Sequence, residues 1–66
     1  MYIIKAMYKS FVNYFDQSGE IDIPKFSENP YLTKKEALKG ISWIKENNWN
    51  DLNDPSVVFS VITIKQ

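Results

Sequence analysis

Residues 1–15 read MYIIKAMYKSFVNYF. Tyr2 to Tyr8 are rich in the β-branched and aromatic residues that suit a pleated, half-buried backbone. Alternation puts Tyr2, Ile4, Ala6 and Tyr8 on one side and Ile3, Lys5, Met7 and Lys9 on the other, with apolar groups on both. The following SFVNYF keeps the same composition, so the strand is expected to continue, with a bulge, to about Phe15.

The next segment turns back. DQSG (16–19) has the Asp and Gly of a turn. EIDIPKF (20–26) alternates Ile21 and Ile23 against Glu20 and Asp22, which predicts a half-buried strand hairpinned to the first. Pro24 has no amide hydrogen and confines this strand to an edge or to its own end. After the loop SENP comes LTKKEALKGISWIKENNW (32–49). Thr33 with Glu36 forms a capping box, and Leu32 can staple onto Ala37. The helix is predicted from Lys34 to about Glu46, with Ala37, Leu38, Ile41 and Ile44 as its apolar stripe. Asn47 and Asn48 suit its C-terminal end, since Asn tolerates the left-handed conformation. Gly40 costs about 1 kcal/mol against Ala in mid-helix, a cost that close approach of another backbone or ring would explain. A polar connector anchored by Trp49 and Leu52 leads to the last strand, Val57 to Lys65, whose apolar residues again fall on both faces.

These elements predict a single α+β domain over residues 1–66, ββαβ, with a three-stranded sheet in the order 2-1-3 and the helix on one face. Two registers are open. The helix covers either Tyr2, Ile4, Ala6 and Tyr8 with Val57, Phe59 and Val61, or Ile3 and Met7 with Val58, Ile62 and Ile64. In both, an apolar sheet face stays uncovered. A chain this short buries only about 60% of the surface its unfolded form exposes, so outside support for the core is expected. With no Cys, that support is not a disulfide. We therefore expect a second copy over the uncovered face, in a two-fold homodimer.

The same composition excludes much chemistry. The chain has no His and no Cys, which removes thiol nucleophiles, His-dependent triads and the commonest metal ligands. No phosphate loop or dinucleotide fingerprint is present. Asp16 with Glu20, or Asp51 with Asp54, are the carboxylate pairs on offer, and turn chemistry accounts for them. No catalytic residue, cofactor or metal is expected, and the protein is read as not an enzyme. Eight Lys balance eight acidic residues and Arg is absent, so no nucleic-acid partner is expected. No apolar run reaches the roughly 20 residues of a membrane span, and no signal peptide is recognisable, so a cytoplasmic location without membrane attachment is expected.

Ten of the 66 residues are aromatic, more than this core needs. Aromatic rings bury large areas at small entropic cost and are favoured at protein interfaces. Trp43, off the helical stripe, and Trp49, in the connector, are candidate partner contacts, together with Tyr8 and Phe59. Trp43 could equally cap the sheet edge, and Trp49 plug the end of the core.

A strand beginning MYIIKA, an LTKKEAL helix and a terminal VFSVITIK strand resemble the layout of small orphan proteins of phages and mobile elements. Among these are short inhibitors of bacterial defence systems, including the compact dimeric anti-Hachiman type. Abundant Lys, Asn and Ile with scarce Ala and Gly, the mark of an A/T-rich genome, agree with that origin. The resemblance implies a phage-encoded homodimer that inhibits a host defence protein in the host cytoplasm by protein–protein contact. The alternative is a small-ligand or nucleotide-binding module with its site at the dimer seam.

Overall fold

The computed structural model describes residues 1–22, 27–47 and 52–65. Along the chain run β1 (Tyr2–Tyr8), β2 (Phe11–Asp16), β3 (Gly19–Ile21), α1 (Lys34–Glu46) and β4 (Val58–Thr63). All strand pairs are antiparallel, and the sheet order is β3-β2-β1-β4.

The α+β class agrees with the sequence, and the last strand does lie beside the first. The sheet has four strands rather than three, however, and the order 2-1-3 is replaced by 3-2-1-4. The cause lies at Lys9–Ser10. Instead of running on through a bulge, the chain reverses there in two residues, and Met7 pairs with Val12 and Tyr8 with Phe11. Lys9 has φ 54°. A positive φ at the first central position alone is the pattern of a type II′ hairpin turn, where Gly is the usual occupant. The second turn, Asp16 to Gly19, carries the expected residues, with Gly19 at φ 121°. Strand β3 stops at Ile21; Ile23, Pro24 and the rest of the strand expected to Phe26 lie outside the described residues.

Helix α1 has the predicted limits. Thr33 Oγ1 accepts from the Glu36 backbone amide at 3.1 Å. Asn47 closes the helix at φ −94°, ψ 4°, not in the left-handed region. Its side chain donates to the Trp43 carbonyl at 2.9 Å, an oxygen that also accepts the Asn47 backbone amide at 3.0 Å. The apolar stripe is narrower than expected: Ala37 and Ile44 are buried and Ile41 half-buried, while Leu38 and the intended staple Leu32 are exposed.

The helix settles the register. Ile4, Ala6, Phe15, Ala37, Ile44, Leu52 and Val57 form the core, with Tyr2, Tyr8, Tyr31, Ile41, Phe59 and Val61 packed around it. The first of the two alternative sets therefore faces the helix. Full burial of an Ile or Phe contributes about 1.5–3 kcal/mol. Gly40 has the neighbour its position called for. A β-carbon there would meet the Tyr31 hydroxyl, stand 2.8 Å from Tyr31 Cζ and 3.0 Å from Ile4 Cδ1. Tyr31 is fixed in turn by two backbone bonds to Tyr2.

Candidate protein-contact surface

The pairing register sorts the side of the sheet away from the helix into rows. At the β1–β2 hairpin end, Val12, Met7 and Val58 stand side by side. All three are exposed, at 42%, 39% and 63%. In the next row Tyr14, Lys5 and Ser60 align, with Ile21 beyond Tyr14. Tyr14, Lys5 and Ile21 are half-buried. In the third row Ile3 pairs with Ile62 and is fully buried. Phe11, paired with Tyr8 at the hairpin tip and therefore on the helix side, is 68% exposed. Among the strand residues of the side away from the helix the exposed apolar ones, Val12, Met7 and Val58, gather at the hairpin end, while Met1, just before β1, is 44% exposed at the other. Single exposed apolar residues are ordinary; a contiguous group is a candidate contact surface. Lys5 is the one cation among these rows.

The other end is tied down by polar bonds. The Asp16 carboxylate accepts from the Ser18 backbone amide at 2.8 Å, from the Ser18 hydroxyl, and from the Ser27 hydroxyl at 2.6 Å. Burial pushes the Asp16 carboxyl up, but the bonds from Ser18, Ser27 and the Asn29 backbone outweigh it and hold the group below its ordinary value. Gln17 donates from its backbone to Asn29 and from its side chain to Pro30. The loop from Ser27 to Tyr31 is thereby pinned to the β2–β3 turn. Glu20, on the opposite side of the sheet from Asp16, accepts from Asn13. The Asp16–Glu20 pair that spacing allows is therefore not a pair in space, and Asp51 lies outside the described residues. Asp54 shapes the turn into β4, with its carboxylate on the Ser56 amide at 2.7 Å and its carbonyl on the Val57 amide at 3.0 Å. The Ser56 backbone bond first, and then its side chain, hold the Asp54 carboxyl below its ordinary value.

A cleft of about 310 Å³ opens between the β2–β3 turn and the helix, lined by Phe15, Tyr31, Gly40, Trp43 and Ile44 among others. Burial, with the Asp16 charge nearby, pushes the Tyr31 phenol up. Tyr31 donates a long bond, 3.3 Å, to the Asp16 carbonyl. No group of three or more Asp, Glu, His or Cys that could hold a metal occurs among the described residues. Nor is any helix there long and apolar enough to cross a membrane.

The four aromatic residues singled out from the sequence are dispersed. Trp43 is 53% exposed and lines the cleft toward the β2–β3 side. Tyr8 and Phe59 lie on the helix face, half-buried against the core, each beneath a lysine: Lys9 Nζ is 5.3 Å from the Tyr8 ring centre and Lys45 Nζ is 5.2 Å from that of Phe59. Trp49 lies outside the described residues. Sequence reasoning placed Met7, Val58 and Ile62 on one of the two faces but missed Val12, because the hairpin that sets it beside Met7 was read as continuous strand. Comparison with protein-family models, curated proteins and solved structures gave no match.

Proposed function

We propose that this chain is a non-enzymatic binding protein that works as a homodimer and inhibits a host protein by protein–protein contact, as a phage-encoded anti-defence protein would in the host cytoplasm. The observation that carries this reading is the exposed row Val12–Met7–Val58. The half-buried Lys5 in the adjoining row adds a requirement. A partner covering this face needs an apolar patch and a carboxylate to meet the ammonium group, because burying an unpaired cation is costly. Affinity capture from host lysate tests the reading with Met7→Asp, Val12→Asp and Lys5→Glu variants beside the wild type. A host protein retained by the wild type and lost from all three is the expected outcome. A retained set indifferent to these substitutions overturns it.

A second reading, a small-ligand or nucleotide module, draws support from the cleft beside Trp43. Its volume is at the lower limit of small-molecule sites, and it lies within one chain, not at a seam between two. Ligand-induced thermal shifts that disappear in Trp43→Ala would favour it.

A further inference from the structure

Strand β4 is an edge strand with features that natural edges usually avoid. It has six residues, VFSVIT, with no Pro, no charged side chain and no bulge in its pairing with β1. Edge strands are ordinarily shortened, charged or covered, because their free amides and carbonyls template pairing with another chain. The opposite edge, β3, has only three residues, with Asp22 just beyond its end.

Which β4 backbone groups face away from β1 follows from the alternation of an antiparallel ladder. Ile64 donates to the Met1 carbonyl, so Ile64, Ile62, Ser60 and Val58 direct their amides and carbonyls toward β1. Tyr2, on β1, turns the other way, to Tyr31, as this alternation requires. Phe59, Val61 and Thr63 then point their amides and carbonyls out of the sheet. Val57 also faces outward, but its amide is already given to the Asp54 carbonyl.

We infer that the β4 edge is where two copies of this chain pair, antiparallel about a two-fold axis at Val61. This rests on the homodimeric part of the function proposed above and identifies its contact. With Val61 opposite its own copy, Phe59 stands opposite the second copy's Thr63. All three outward amides and all three outward carbonyls of each strand find partners, six hydrogen bonds in all. Sliding the register toward the turn would set Thr63 opposite Val57, whose amide is taken. Sliding it the other way leaves Phe59 opposite Lys65, beyond the end of the strand. The Val61-centred register brings no like charges together, and it carries Lys65 toward the second copy's Asp54 turn, which is exposed. Stacking the two uncovered faces instead would bury two Lys5 ammonium groups, and the acid nearest in register, Asp16, is committed to Ser18 and Ser27. Edge pairing leaves those faces open on the same side of one eight-stranded sheet. The two Val12–Met7–Val58 rows then lie at its opposite ends, roughly 20 Å apart along the strands, available to one target.

Sedimentation equilibrium of the wild type, Thr63→Pro and a Met7→Lys/Val12→Lys double variant tests this, together with air oxidation of Val61→Cys. Proline at Thr63 removes an outward amide and leaves every bond to β1 in place, so the fold tolerates it. The wild type and the double variant are expected to be dimers, and Thr63→Pro to dissociate at least about tenfold more readily, since its ring blocks the edge. Val61→Cys is expected to cross-link well beyond a Val12→Cys control, because paired α-carbons about 5.5 Å apart are within disulfide reach. The chain's lack of other cysteines makes that result unambiguous, and Val→Cys is mild enough to preserve folding if Thr63→Pro does not. A dimer that survives Thr63→Pro, or a Val61→Cys that cross-links no faster than the control, overturns edge pairing while the homodimer stands. A wild type that is monomeric throughout overturns the homodimer itself.

Discussion

On the helix side of β1, Ile4 and Ala6 are sealed beneath Ala37 and Ile44; one residue along the same strand, on the other side, Lys5 is half-buried and Met7 exposed. Read as residue types, the two sides differ little, and the sequence alone left both available to the helix. The structure separates them by what surrounds each row. The helix side has Phe15 and Leu52 to complete a closed cluster, whereas the other side is sealed only around Ile3, at the end where Asp16 and Ser27 hold the loop. Toward the hairpin it opens into Val12, Met7 and Val58. Apolar content by itself therefore does not mark a core. Closure does, and the unclosed remainder is the surface for which contact with another protein is proposed.

The comparison breaks most easily at its closed side. Phe15→Ala should cost about 3–5 kcal/mol, and Val58→Ala no more than about 0.5 kcal/mol, in urea unfolding of the two variants under conditions where the chain is monomeric. Comparable losses would mean that the uncovered face is packed after all. Gly40→Ala comes next. Helix propensity favours Ala by about 1 kcal/mol, but the Tyr31 ring must give way, and overpacking costs about 1–3 kcal/mol. A net loss is expected, reduced in a Tyr31→Phe background where the nearest atom has gone; a plain gain in stability would show that Tyr31 yields freely.

The pinned end of the open face can be tested with acid. The Asp16 carboxyl lies below its ordinary value in the folded chain, so its contribution is complete above the unfolded value of 3.8 and fades as pH falls through the lowered folded one. Asp16→Asn should therefore lose about 1–2 kcal/mol at neutral pH and show a flatter decline of stability in acid than the wild type. An unchanged acid limb would assign that decline to other carboxylates. The smallest effect belongs to the hairpin that creates the exposed row. Lys9→Gly should stabilise by up to about 1 kcal/mol, the relief of a left-handed side-chain residue partly offset by a freer unfolded chain. A loss instead would mean that Lys9 over the Tyr8 ring contributes more than the turn costs.

The same hairpin shows where the sequence is silent. The helix was legible to the residue because Thr33 and Glu36 begin it and Asn47 ends it with local hydrogen bonds. The Asp16–Gly19 turn was legible because its residues are the ones such turns use. The Lys9–Ser10 turn was not, because neither residue prefers a positive φ; the pairing of Met7 with Val12 and Tyr8 with Phe11 imposes it. Gly40 was legible as a close approach, but the ring that approaches, Tyr31, comes from outside the strands and is placed by Tyr2. Leu38 and Leu32 looked like core by spacing and proved exposed, because the helix meets the sheet along a narrow strip at Ala37 and Ile44. The candidate contact surface was legible only in part. Both faces of β1 were visibly apolar, but Val12 joins Met7 through a turn with no sequence mark.

Amide hydrogen exchange along β4, read residue by residue at low and high protein concentration, tests the whole account most directly. Val58, Ser60 and Ile62 bond to β1 and should be protected at every concentration. Phe59, Val61 and Thr63 should exchange rapidly in dilute solution and become protected together as concentration rises. Rapid exchange of these three at all concentrations would contradict the pairing of two copies at this edge.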